Sequence, residues 1–105
     1  MAKINPVTIS WSAPTLNTDG TPIVGALSYR LMVDGVDFLD FPGSLNPDGK
    51  YYEDVAPMAI PNGAHTLALK AFYVDEPSLI SDPSGVLDII VGVTAPAAPF
   101  GLAAS

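Results

Sequence analysis

The chain has 105 residues, of which 49% are hydrophobic and 14% charged, with eleven prolines, nine glycines and no cysteine. That is enough apolar material for one core and too little charge for a disordered chain, while the lack of cysteine excludes disulfides, thiolate nucleophiles and cysteine-based metal sites. Four Lys and Arg stand against eleven Asp and Glu, a net charge of −7, whose field repels phosphate backbones and anionic lipid, so neither nucleic acid nor a membrane is an expected partner.

The opening residues, Met1-Ala2-Lys3-Ile4-Asn5-Pro6, contain no apolar signal region, and no run approaches the ~18 apolar residues that span a bilayer. The expectation is a soluble product made in the cytoplasm without an export signal. Asn5, Asn17, Asn46 and Asn62 each lack a Ser or Thr two places on, so no N-glycosylation acceptor is present.

Val7-Thr8-Ile9-Ser10-Trp11 alternates apolar and small polar side chains, the period of a strand with Val7, Ile9 and Trp11 facing a core. Asn17 to Pro22, with Asp19-Gly20 and Thr21-Pro22, reads as a loop. Leu27 to Val33 is a second strand with Leu27, Tyr29, Leu31 and Val33 on one face, and Asp34-Gly35 is a hairpin step into a return strand over Val36 to Leu39.

Asp40 to Lys50 is turn-rich, Tyr51 to Val55 reads as a short strand, and Ala56 to Gly63 as a connection. His65 to Val74 is the strongest strand, with Leu67, Leu69 and Ala71 on one face; Glu76 to Gly85 reads as a loop and Val86 to Val91 as the last strand of the body. Apolar runs recur at roughly the 8–12-residue spacing of a sandwich. The expected fold is an all-β antiparallel sandwich of about seven strands over residues 1–91, followed by an Ala/Pro-rich arm over 92–105 whose composition is that of a linker.

Three pieces occur in an order that resembles a fibronectin type III, immunoglobulin-like domain: Val7-Thr8-Ile9-Ser10-Trp11-Ser12-Ala13-Pro14, with its core tryptophan; Tyr29-Arg30-Leu31-Met32-Val33-Asp34-Gly35, with its core tyrosine; and Gly63-Ala64-His65-Thr66-Leu67-Ala68-Leu69-Lys70-Ala71. Ser81-Asp82-Pro83-Ser84 is similar to that family's serine-rich turn before its last strand. The resemblance implies a core defined by Trp11, Tyr29, Leu31, His65, Leu67, Leu69 and Ala71. It also implies that His65 stands where the family carries the tyrosine of its corner motif, a structural role and not that of a base or ligand.

The family's first strand, a Pro-x-x-Pro-x-Gly-Leu-like segment, has no counterpart in the six residues before Val7. Pro96-Ala97-Ala98-Pro99-Phe100-Gly101-Leu102 resembles it instead, so the arm is expected to carry a displaced first strand, packing on its own domain or on a neighbouring subunit.

No catalytic residue, cofactor or metal site is expected. The carboxylates Asp34, Asp37, Asp40, Asp48, Glu53 and Asp54 lack a calcium-loop spacing, and His65 has no second histidine or cysteine to complete a site. Phe38, Phe41, Tyr51 and Tyr52, with Leu39, Leu45 and Met58, crowd a turn-rich stretch and divide between core and a docking patch, and Pro99, Phe100 and Leu102 join the partner-binding candidates.

The expected function is non-enzymatic: a structural or adhesive module similar to the accessory proteins of bacteriophage virions, located on the particle as a capsid-decoration or tail-associated subunit. It would bind viral structural proteins and copies of itself. The alternative is a carbohydrate- or cell-surface-binding module of an extracellular bacterial protein.

Overall fold

The computed structural model describes residues 2–92 and 96–104. Within them the chain forms nine strands and one single-turn 3-10 helix: β1 (Lys3–Ile4), β2 (Thr8–Trp11), β3 (Leu27–Val33), β4 (Val36–Phe41), β5 (Ser44–Leu45), β6 (Tyr51–Asp54), the helix (Ala56–Met58), β7 (Gly63–Tyr73), β8 (Glu76–Ile80) and β9 (Leu87–Val91). One sheet has the order β1-β9-β7-β3-β4, with β8 also paired to β7, and the other has the order β2-β6-β5. The all-β class holds, with nine strands where about seven were expected and a sandwich-like pairing of two sheets.

The large sheet grows from its two strongest periodic segments. β3 and β7 run antiparallel with Tyr29 opposite Ala71, Leu31 opposite Leu69 and Val33 opposite Leu67, and opposed side chains share a face. Leu31 is fully buried, and Tyr29, Leu67 and Ile89 of β9 are nearly so; each aliphatic side chain removed from water this way is worth about 1.5–3 kcal/mol. From the small sheet Ile9 enters the same cluster, joined by Val55, Met58 and Ile60 from the connection between β6 and β7.

Local chemistry fixes the joints. Asp34 and Gly35 adopt φ of +53° and +81°, the left-handed pair of a type I′ turn, so Val33 pairs with Val36 as the Asp-Gly step predicts. The Asp34 carboxylate accepts from the Thr66 N–H at 2.9 Å, tying that turn to β7. Between β7 and β9 the chain cannot form a regular ladder through Pro83, and two serines take over: Ser81 Oγ accepts from the Ala71 N–H at 2.8 Å and Ser84 Oγ from the Leu69 N–H at 3.0 Å. On the outer face Arg30 donates to Asp40, Lys70 reaches Asp37 at 3.3 Å, and the Arg30 guanidinium lies 5.2 Å from the centre of the Phe72 ring.

Four expectations are corrected. Val7 is not a core residue; it precedes β2, where the chain crosses between sheets, and is 80% exposed. Lys3–Ile4 forms a strand where none was expected, parallel to β9 and not on β2. Glu76–Ile80, read as loop, returns on β7 as a hairpin strand, and Ser44–Leu45 in the turn-rich stretch pairs with β6.

Candidate docking site

Trp11 lies at the centre of an aromatic cluster joining the two sheets. Its ring is 5.0 Å from Tyr29 in an edge-on arrangement, 5.7 Å from Phe41 and 6.2 Å from Tyr51 in a stacked one; centroid separations in this range are the attractive ones for aromatic pairs. Gly43 makes the cluster close: a Cβ there would fall 2.6 Å from Trp11 Cζ2. Phe41 is thereby buried, which removes it from a docking patch, and Tyr51 is half-buried against the core. Met58 is likewise in the core.

Tyr52, on the opposite face of β6, donates its hydroxyl to Asp48 at 2.6 Å. Phe38 remains at the surface, 42% exposed, because it is the extra residue of a bulge: Leu31 pairs with Leu39 and Met32 with Asp37, leaving Phe38 between them. Leu45 is exposed as well. The crowded aromatics therefore divide, two inward and two outward, and do not form one patch.

His65 sits opposite Ile89 on β7, at the rim of the core. Its Nε2 lies 2.8 Å from the Pro61 carbonyl, an acceptor only, so that nitrogen carries a proton; Nδ1 lies 2.6 Å from the Asp34 carboxylate. The bond to Asp34 raises the histidine's pKa, and the same bond lowers that of Asp34. The pair is a structural staple between the β3–β4 turn and the start of β7, the ring also reaching back four residues to the Pro61 carbonyl. Two other carboxylates are similarly engaged: Arg30 holds Asp40 below its ordinary value, and the Tyr52 hydroxyl does the same for Asp48. Among the described residues, no three His, Asp or Glu side chains gather as a metal cluster.

The arrangement with no structural partner is the edge of β2. The strand order of the small sheet ends there. Val55 N–H donates to the Val7 carbonyl at 2.9 Å, and the register pairs Ile9 with Glu53 and Trp11 with Tyr51. By the alternation of an antiparallel ladder, the backbone groups of Val7, Ile9 and Trp11 face β6, and those of Thr8 and Ser10 face outward.

Beside this edge the gap between the sheets is incompletely filled. A cleft of about 100 Å³ is bounded by Ile9 and Trp11 on one side and Leu67, Leu69 and Leu87 on the other. A larger open groove of about 620 Å³ lies at the end where β2 leads into Pro14, with Leu16, Ile23, Val24, Tyr73 and Leu79 on its walls.

The arm does not occupy the cleft. Residues 96–104 form no strand, and Phe100 and Leu102 are 98% and 101% exposed; Val93, Thr94, Ala95 and Ser105 lie outside the described residues. Pro99, also a partner candidate, is exposed with them. Thr8 and Ser10 give no signal beyond ordinary strand alternation, and the cleft is built from Leu67, Leu69 and Leu87, which read as simple core.

Neither a family model, nor a curated protein, nor a solved structure matches the chain.

Proposed function

We propose that this protein is a non-enzymatic structural subunit that attaches to other protein subunits by β-strand pairing, and that it serves as an accessory protein of a bacteriophage particle, on the capsid or the tail. The observation that carries this reading is the open edge of β2 beside an unfilled apolar cleft, in a molecule whose own arm leaves Phe100 and Leu102 in solvent. Main-chain pairing along an edge supplies affinity, and pockets for alternate side chains supply selectivity. The engagement of His65, Asp34, Asp40 and Asp48 in turns and sheet contacts supports the non-enzymatic part. The particle itself is supported by the sequence resemblance to virion accessory domains, an argument from fold analogy.

The carbohydrate alternative draws less support. A flat sugar platform needs adjacent exposed rings, whereas Tyr51 stacks on Trp11 and Tyr52 points to the other face of β6 toward Asp48.

Sedimentation of the tagged protein with purified phage particles, followed by labelling in electron micrographs, tests the proposal. Particle-bound protein at a regular copy number is the expected result. Binding to a glycan array in the absence of any particle association would overturn it.

A further inference from the structure

We infer that the β2 edge of one copy is filled by the arm of a second copy, with Leu102 opposite Ile9, Phe100 opposite Trp11, and both side chains entering the cleft between the sheets. The inference rests on the reading of that edge as an attachment site and names its occupant.

The fit begins with side-chain spacing. Phe100 and Leu102 are two residues apart, so in an extended chain they share a face. Residues directly opposite in a ladder share a face too, and the inward residues of β2 are Ile9 and Trp11. That alignment places Gly101 opposite Ser10 and Ala103 opposite Thr8, the two β2 residues whose backbone groups face outward. Pro99, which has no N–H to give, falls at the first position of the added strand, where proline is tolerated.

Volume agrees with the pairing. An apolar cavity of roughly 150 Å³ accepts a benzene ring, so a cleft of about 100 Å³ takes one leucine side chain, leaving the Phe100 ring to cover the Trp11 end.

Direction favours a second copy over the same chain. Gly92 N–H donates to Asn5 Oδ1 at 2.8 Å, so the chain leaves the body at the Thr8 end of β2. The pairing set out above is antiparallel, so the arm enters at the Trp11 end. In its own chain the arm forms no strand and leaves Phe100 and Leu102 in solvent, and to pair antiparallel with its own β2 it would have to pass Trp11 and reverse within the seven steps from Gly92 to Pro99. Another copy's arm approaches from the Trp11 end without reversal.

Charge points the same way. Two copies at −7 each repel, yet Val7 to Leu16 and Pro96 to Ser105 contain no charged residue, so these segments can meet without opposing charges at the contact.

Paired cysteines test the register in a chain that has none of its own. Thr8 and Ala103 are exposed, and Cα atoms at an opposed antiparallel pair lie about 5.5 Å apart, within the span of a disulfide. Mild oxidation of the Thr8→Cys/Ala103→Cys protein should give disulfide-linked dimers and larger species on a non-reducing gel, well above the yield from either single variant. A cross-linked species that runs as a monomer, or no cross-link, overturns the inference.

The second variant is Leu102→Asp, at a side chain that touches nothing in the isolated body. Light scattering should give at least twice the monomer mass for the wild type and the monomer mass for the variant; equal masses overturn the inference. A wild type that is monomeric yet sediments with particles refutes arm exchange and leaves the proposed function standing. A self-associating wild type that ignores particles does the reverse.

Discussion

Gly43→Ala is the substitution that most directly tests how the aromatic cluster is assembled. Gly43 has φ of +71°, and an added Cβ would lie 2.6 and 3.0 Å from two carbons of the Trp11 ring and 3.3 Å from Tyr51 Cδ2. The left-handed backbone costs alanine roughly 1–2 kcal/mol, and overpacking a close contact typically adds about 1–3 kcal/mol. Trp11 cannot retreat without disturbing Tyr29 and Phe41, 5.0 and 5.7 Å away. The expected loss is about 2–5 kcal/mol, a large share of a domain's usual 5–15 kcal/mol or so.

Gly35→Ala supplies the control. Its φ is +81° but nothing lies within 4 Å of the added carbon, so it should lose only the backbone part, roughly 1–2 kcal/mol. Urea denaturation of the two variants and the wild type, followed by the fluorescence of the single tryptophan, measures the difference. Equal losses for the two variants would mean that Gly43 is not held by its contact with Trp11, and the cluster reasoning would fall.

The staple between Asp34 and His65 makes stability depend on pH in a definite sense. Asp34's share is present above its ordinary 3.8 and fades as pH falls through its lowered folded value, whereas His65's share is present below its ordinary 6.5 and fades as pH rises through its raised folded value. The wild-type advantage over Asp34→Asn, which keeps a side chain tolerant of positive φ, should therefore be fullest between those two values and shrink on either side; a pH-independent difference in Tm would refute the charged pair. Leu31→Ala, at a position with no solvent exposure, should cost about 2–5 kcal/mol in urea denaturation, and a loss under 1 kcal/mol or so would move the centre of the core elsewhere. Ser81→Ala strips the Ala71 N–H of its 2.8 Å acceptor and should cost roughly 1–3 kcal/mol, whereas an unchanged midpoint would show that water replaces the hydroxyl. Arm exchange also makes Tm rise with protein concentration by mass action; the chain lacking 96–105 should lose that dependence, and a calorimetric series that stays flat for both forms would contradict it.

What the sequence revealed was what repeats locally. β3 and β7 carry period-two alternation long enough to name their core faces, and Asp34-Gly35 marks the hairpin of β3 into β4 through its backbone dihedrals; the pairing of β3 with β7 is written in neither segment. β1 and β5 are two residues each, too short for any period: β1 exists because the distant β9 offers hydrogen-bonding groups, and β5 because the turn over Asn46 to Lys50 folds it back on β6. β8 was hidden by Pro77, which reads as loop but is harmless where its missing N–H faces no partner.

The crowded aromatics could not be divided between core and surface for a related reason. Phe41 and Tyr51 lie among turn residues, and only the approach allowed by Gly43 shows that both turn onto Trp11. Val7 continued an alternation beyond the end of β2, where its backbone still bonds Val55 but its side chain lies outside the core. The cleft was not legible, because it is a space between residues far apart in sequence.

How the molecule treats its strand edges bears on what the arm is for. β4 ends the large sheet with Asp37, Asp40 and the bulge at Phe38, devices that discourage another strand from adding. β1 and β5 are too short to template one, and β8 carries a proline. β2 alone among these edges is longer than two residues with neither charge, bulge nor proline, and it borders an apolar cleft. An edge left bare in this way promotes uncontrolled pairing unless something covers it, and a specific arm covers it with a strand that itself ends after a few residues. Each copy then gives one arm and receives one. A reciprocal pair or a closed ring satisfies every edge, while an open chain leaves a bare β2 at one end and a free arm at the other. The arm-exchanged state should therefore settle at a fixed copy number, the property a subunit needs to occupy a defined place on a larger particle.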